Sequence, residues 1–290
     1  MKKIIIILLL ILVTAYPIKK LIYKVKNYYS TAILQREIAS ILDNRTNLNK
    51  FYVNNGHTNP ACYIAHGGGI GEFTYTNSLE AILNSLERGF QFIEIDMLET
   101  SDNHIIGGHD WKHFKSITGL RDTADKPLPL STAKNQKIKQ KYTVISGEEI
   151  ATIMKEHPDL ILITDKIRNY KLLLQEIPYQ NRMIVEVFSP EDYLKALRAG
   201  IKYPAYCVWG IKQLGIAKQF NFPIITMDAK NFFENSDSIR LAQELHNKNV
   251  TILLFYTSFS QRDTTGFIKK HAGRSFSKVY TDTWSPSTLP

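Results

Sequence analysis

From residue 61 onward the chain alternates short apolar runs with amphipathic stretches. The runs Tyr63–Ala65, Phe92–Leu98, Ile105–Gly108, Leu160–Thr164, Met183–Phe188, Ala205–Val208, Pro223–Met227, Val250–Phe255 and Lys278–Asp282 are bounded by Gly, Pro, Asn and Asp and read as strands. Between them, apolar residues at spacings of three and four predict helices over Asn77–Arg88, from Ser146 to about His157, and over Pro190–Ala199, Ile211–Gln219, Ser236–Asn247 and Thr264–His271. Leu79, Ile82, Leu83 and Leu86 share one side of the first, which Gly89 closes, and Ser146 with Glu149 forms a capping-box pattern. Strands alternating with helices predict a parallel sheet, and about eight of them over residues 60–290 predict an α/β fold, a single (β/α)8 barrel of the TIM type.

Two stretches break this rhythm. Lys2 and Lys3 precede an unbroken apolar run, Ile4–Tyr16, which Pro17, Ile18 and the pair Lys19-Lys20 follow. That order is a signal peptide or a membrane anchor over residues 1–20. Val13-Thr14-Ala15 suits cleavage, whereas Lys19, Lys20, Lys24 and Lys26 suit retention, so both readings stand. Residues 21–59 read as a helical linker, a helix over Leu21–Leu42 and then an Asn-rich connector. Residues 110–145, with few aliphatics and five lysines between Lys126 and Lys141, read as a long loop placed as a lid over a pocket.

Charge sharpens the N-terminal reading. The 290-residue chain carries a net +9, but residues 1–50 hold nine Lys/Arg against two Asp/Glu, which leaves +2 for all that follows. A basic excess beside an apolar N-terminus suits anionic lipid headgroups, and the barrel itself carries too little to bind nucleic acid. The expected location is the cell envelope, anchored or exported, with the side of the membrane left open. Cys62 and Cys207 fall in different predicted strands and read as buried small residues, neither a disulfide framework nor a thiolate metal site.

Chemistry concentrates between Ile64 and Trp111. His66 ends one apolar run, His109 ends another, and Glu94 and Asp96 alternate with Ile93, Ile95 and Met97. A period of two puts both carboxylates on one face of a strand, where two oxygens one pleat apart can hold a hard cation, Mg²⁺ or Ca²⁺. Each feature alone is also compatible with an ordinary polar face. Together they resemble successive strand ends of a parallel barrel converging on one pocket.

The order AHGGG, TNSLEAILNSLERGFQFIEIDM, TSDN and GGHDW resembles the glycerophosphodiester phosphodiesterases, as a divergent branch within the phosphatidylinositol-specific phospholipase C-like superfamily. Val279-Tyr280-Thr281-Asp282 followed by Pro286 extends the likeness to residues 61–286. The resemblance implies that His66 and His109 are the acid/base pair and that Glu94 and Asp96 bind a divalent metal. Two departures stand out: Gly67 where the family has Arg, and Thr76 where it has Glu, so the grip on phosphate differs. A third carboxylate ligand is implied in a Glu-x-Lys pattern, whereas this chain reads Thr164-Asp165-Lys166-Ile167. Asp165 is assigned, because a dication gains more from a third anionic oxygen than from a hydroxyl, and Lys166 reaches phosphate if the backbone turns it inward.

Glu186, among Val185, Val187 and Phe188, needs a partner: the metal, the substrate, or a Lys or Arg. Tyr206, Trp209, Tyr256 and Trp284 follow strand ends and are expected to line a pocket wall. The reading is a metal-dependent hydrolase of a glycerophosphodiester, such as a headgroup, a lysolipid or a glycerophosphate polymer. Its rivals are a sphingomyelinase D-like lyase forming a cyclic phosphate and a non-catalytic envelope barrel that binds glycerophosphate ligands. Nothing in the sequence sets the oligomeric state.

Overall fold

Strands buried on both faces need packing partners inside and out, and closing a parallel sheet into a ring that helices surround supplies both. The computed structural model describes residues 28–43, 63–121, 124–229, 235–255 and 276–282. The chain divides after Asn44 into an N-terminal unit, in which residues 28–43 form a helix, and the unit that holds every strand described here. Residues 1–20, the expected signal or anchor, lie outside the described residues, and no described helix is long and apolar enough to cross a membrane.

The strands are β1 (Tyr63–Ala65), β2 (Phe92–Glu99), β3 (Ile105–Gly107), β4 (Lys137–Ile138), β5 (Tyr142–Thr143), β6 (Ile161–Asp165), β7 (Met183–Val187), β8 (Tyr203–Val208), β9 (Ile224–Asp228), β10 (Thr251–Phe255) and β11 (Lys278–Thr281). Eight of them, in the order β1-β2-β6-β7-β8-β9-β10-β11, pair in parallel and close back onto β1. This is the expected (β/α)8 barrel. Inside it, Ile64, Phe92, Ile161, Ile163, Ile184, Ala205, Ile224, Leu253 and Tyr280 form one buried cluster. Two residues further along the same strands, on the same face, come His66, Glu94, Asp165, Glu186, Thr226 and Asp282. The period of two thus makes an apolar floor and a polar mouth from the same strands.

One expected strand is of another kind. Ile105–Gly107 does not join the ring; it pairs antiparallel with the far end of β2, Met97 opposite Gly107 and Glu99 opposite Ile105. The reason is length, since the short turn through Asp102-Asn103 can only make a hairpin, whereas a parallel return needs a crossover of a dozen residues or more. The expected long loop over residues 110–145 also differs. It contains helices Trp111–Thr118 and Leu130–Lys134 and the β4–β5 hairpin, and it packs Trp111, Phe114, Ala133, Ile138, Tyr142 and Val144 against Leu98 and Ile106. Its hairpin turn runs through Lys139 and Gln140, both at positive φ, residues that give none of the usual Asn-Gly signal.

The helices over Pro190–Ala199 and Ser236–Asn247 match their expected bounds, and Ile211–Phe220 runs one residue longer. The expected helix over Thr264–His271 lies outside the described residues. Helix Tyr170–Glu176, not foreseen, spans seven residues in which Leu172-Leu173-Leu174 masks any period. The capping box is present. The Ser146 side chain accepts from the Glu149 N–H, and Glu149 Oε2 accepts from the Ser146 N–H at 2.8 Å and from Lys134 Nζ at 2.5 Å, which ties the insertion to a barrel helix. Ser146→Ala is expected to cost about 1 kcal/mol, read as a lower denaturation midpoint in urea with an unchanged slope; an unmoved midpoint would show that the cap carries no stability.

Candidate active site

His66 is the first residue past β1, and the chain turns there because Gly67 and Gly68 both adopt positive φ, +56° and +87°. A side chain at Gly67 would have no room, since a Cβ there would lie 2.8 Å from the Tyr75 Cα. In this conformation the Gly67 N–H points at β2 and donates to Glu94 Oε2 at 2.8 Å. His66 Nδ1 lies 3.1 Å from Asp282 Oδ1, just past β11, and its ring meets the edges of Tyr75 and Tyr280 at 4.6 and 5.5 Å.

The acidic residues come from adjacent strands in register. Asp96 on β2 sits opposite Asp165 on β6, and Glu94 is one pleat below. Oxygens of Glu94, Asp96 and Asp165 lie within 4.8 Å of one another, and all three residues are buried. Burial, reinforced by the Asp96 and Asp165 charges, pushes the Glu94 carboxyl well above its usual range. Burial and the neighbouring Asp96 push Asp165 up to about 7, and Asp165 Oδ1 is buried without a hydrogen-bond partner. Clustered, desolvated carboxylates with an orphaned oxygen fit a divalent cation, and an all-oxygen set fits Mg²⁺ or Ca²⁺.

Asn77 steadies this cluster. Its Nδ2 donates to Asp96 Oδ2 and its Oδ1 accepts from the Asp96 N–H, both at 3.0 Å, while its own N–H donates to the Gly67 carbonyl at 2.9 Å. Gly107 lets this happen, because a Cβ there would lie 2.3 Å from the Asn77 carbonyl oxygen. Thr76 is buried and turned to the Phe73 carbonyl and to Ser78.

Lys166 takes a positive φ of 61°, which turns its side chain into the cavity. Its Nζ lies 2.7 Å from Asp165 Oδ2 and 3.9 Å from Asp96 Oδ1. Burial opposes its charge, but the carboxylates of Asp165, Asp96 and Glu94 outweigh that and raise its pKa. Thr164 is fully buried on the opposite face of β6, so Asp165 is the residue that joins the acidic group. Glu186, pushed up to about 7 by burial and by Asp165, accepts from Thr226 Oγ1 at 3.1 Å and from the Tyr280 hydroxyl. Its partners are two hydroxyls, not a helix-face Lys or Arg.

His109 reaches the same mouth from the β2–β3 hairpin, held where the Gly108 N–H donates to the Asp96 carbonyl at 2.9 Å. Its Nδ1 lies 2.7 Å from Asp110 Oδ2, and Asp110 Oδ1 accepts from the His113 N–H at 2.7 Å, capping the helix Trp111–Thr118. His66, His109, Glu94, Asp96, Asp165, Lys166 and Glu186 all line one cavity of about 420 Å³. Trp209, just past β8 and half-exposed at the rim, and Phe255, at the end of β10, supply more of its wall, their rings 5.0 Å apart.

Tyr206 is not part of that wall. The alternation on β8 turns Cys207 inward to the cavity and Tyr206 outward onto Phe222, at 4.9 Å between rings. Tyr256 and Trp284 lie outside the described residues. Asp282 and Asn77 were not singled out from sequence as site residues, although both stand inside quoted motifs, the Thr-Asp that ends the last strand and TNSLEA.

No family model matches the chain, and no curated protein matches it. Solved structures do. A glycerophosphoryl diester phosphodiesterase from Parabacteroides distasonis is 17% identical, covers 80% of this chain and 86% of its own, and superposes with a TM-score of 0.61. A glycerophosphodiester phosphodiesterase from Thermotoga maritima is 18% identical over 76% of this chain and 94% of its own, TM-score 0.58. A phosphodiesterase from Oleispira antarctica, solved in complex with the product sn-glycerol-3-phosphate, is 15% identical over 76% of this chain and 92% of its own, TM-score 0.59. At these identities the likeness shows the fold.

The acidic cluster gives the protein a particular response to pH. Asp165 and Glu186, raised to about 7, keep protons in the folded chain that the unfolded chain has already released. Their contribution to stability is therefore full below about pH 4 and is lost as the pH rises through about 7. Thermal unfolding in chelator is expected to show a midpoint that falls across this range, and saturating Mg²⁺ or Ca²⁺ is expected to remove much of the fall. A midpoint in chelator that stays level or rises would contradict the mutual repulsion of these groups.

Proposed function

We propose that the chain is a metal-dependent phosphodiesterase that hydrolyses a glycerophosphodiester. The observation that carries this is the convergence on one barrel-mouth cavity of a buried acidic triad and two histidines, each with a carboxylate on Nδ1. The motif resemblance and the shared fold of named phosphodiesterases support the same reading.

Glu94, Asp96 and Asp165 would hold the dication, which supplies Lewis-acid neutralisation of the phosphate charge. Asp282 and Asp110 each favour the tautomer with a proton on Nδ1, so Nε2 of each histidine is the atom that exchanges protons. His66 takes the proton from the attacking oxygen, and His109, the more exposed of the two, gives one to the leaving oxygen. Lys166 lies beside the acids and donates to phosphate, and the aromatic wall with Trp209 takes the carbon-bearing part of the substrate. Attack by the substrate's own hydroxyl would produce a cyclic phosphate, which phosphorus NMR of the products distinguishes from the open ester. The apolar run Ile4–Tyr16 with its flanking lysines supports tethering to, or export across, a membrane of the cell envelope.

Glycerophosphodiester hydrolysis with Mg²⁺ or Ca²⁺ is expected to stop in chelator and to fall by about 10² to 10⁴-fold in His66→Ala and in His109→Ala. Rates in both variants equal to wild type would end the enzymatic reading and leave a barrel that only binds.

A further inference from the structure

Tyr75 combines two unfavourable features at one position. Its backbone is left-handed, φ +57°, a conformation rare for a bulky side chain. Its hydroxyl is buried without a hydrogen-bond partner, although buried polar groups nearly always have one. Neither feature serves the core, since the ring lies 4.6 Å from the His66 ring and lines the catalytic cavity. Backbone strain and an orphaned donor at a cavity wall point to a ligand that satisfies the donor.

The identity of that ligand follows from charge. Burial and the carboxylates of Asp282, Glu94 and Asp96 disfavour ionisation of Tyr75, so it remains a neutral O–H donor. The oxygens of a phosphodiester accept hydrogen bonds and do not donate them, so they suit a neutral O–H donor in addition to the ammonium of Lys166. Gly67 completes the case. A side chain there would run into the Tyr75 backbone, so the placement of Tyr75 excludes the arginine that the resembled family carries next to its first histidine. We propose that the Tyr75 hydroxyl is a substrate-binding donor to a phosphoryl oxygen beside His66. This rests on the phosphodiesterase reading above.

The test titrates sn-glycerol-3-phosphate, in the presence of Mg²⁺ or Ca²⁺, into wild type and Tyr75→Phe, with titration of the dication alone and urea unfolding of each ligand-free protein alongside. Tyr75→Phe is expected to weaken glycerol phosphate binding by about tenfold or more. Dication affinity is expected to be equal in the two proteins, and the ligand-free variant no less stable than wild type, because the hydroxyl it loses has no partner. Equal glycerol phosphate affinities would overturn the proposal and leave the phosphodiesterase reading standing. A variant that loses dication affinity or stability as well would also overturn it, assigning Tyr75 to the cation or to the fold. Wild type that binds the dication but neither glycerol phosphate nor a glycerophosphodiester would remove the phosphodiesterase reading, and this proposal with it.

Discussion

Three carboxylates whose oxygens lie within 4.8 Å of one another in a buried site repel one another, and a divalent cation among them relieves that repulsion. That electrostatic conflict organises the mouth of the barrel. Every nearby device answers it in part: the Gly67 N–H on Glu94, the two-point grip of Asn77 on Asp96, the two hydroxyls on Glu186 and the ammonium of Lys166 against Asp165. These hold the oxygens in place without satisfying all of them, since Asp165 Oδ1 keeps no partner. A rigid frame around an incompletely compensated charge is the arrangement from which dication affinity comes.

The same economy extends to the histidines. His66 and His109 arrive by different routes, one at the end of a barrel strand and one on a hairpin outside the ring, yet each meets a carboxylate at Nδ1, 3.1 and 2.7 Å away. His66 is wedged between Tyr75 and Tyr280, and Tyr280 in turn donates to Glu186. The base proposed for the attacking oxygen is therefore mechanically continuous with the acidic floor. Close packing of Gly67 and Gly107 against the Tyr75 and Asn77 backbones makes this continuity possible, and larger residues at either position would push the two supporting side chains out of place.

Much of this could be read along the chain, for reasons that differ from part to part. The ring was legible because fully buried parallel strands give continuous apolar runs, and Glu94 with Asp96 was legible because a period of two can be counted. Asp165 was found by charge, against a register that fitted the resembled pattern poorly, and the left-handed Lys166 explains the misfit: its turned backbone brings inward a side chain that would otherwise point away. What remained hidden depends on contacts between distant residues. Nothing local announces that Asp282 pairs with His66 across 216 positions, or that Tyr206 rather than Cys207 turns outward on β8. The structured insertion was missed because its few apolar residues gain meaning only when Leu98 and Ile106 complete their cluster.

The buried acidic cluster, in which the Glu94 and Asp165 carboxyls are raised by burial and by their neighbours, seeks a cation in exchange for protons. Calorimetric titration of Mg²⁺ or Ca²⁺ near pH 6, repeated in buffers of different ionisation enthalpy, counts the protons displaced when the dication enters. The prediction is binding with net proton release at pH 6, because burial and mutual repulsion hold Asp165 and Glu186 at about 7 and Glu94 well above its usual range. Binding without proton release at pH 6, or no binding at all, would contradict it.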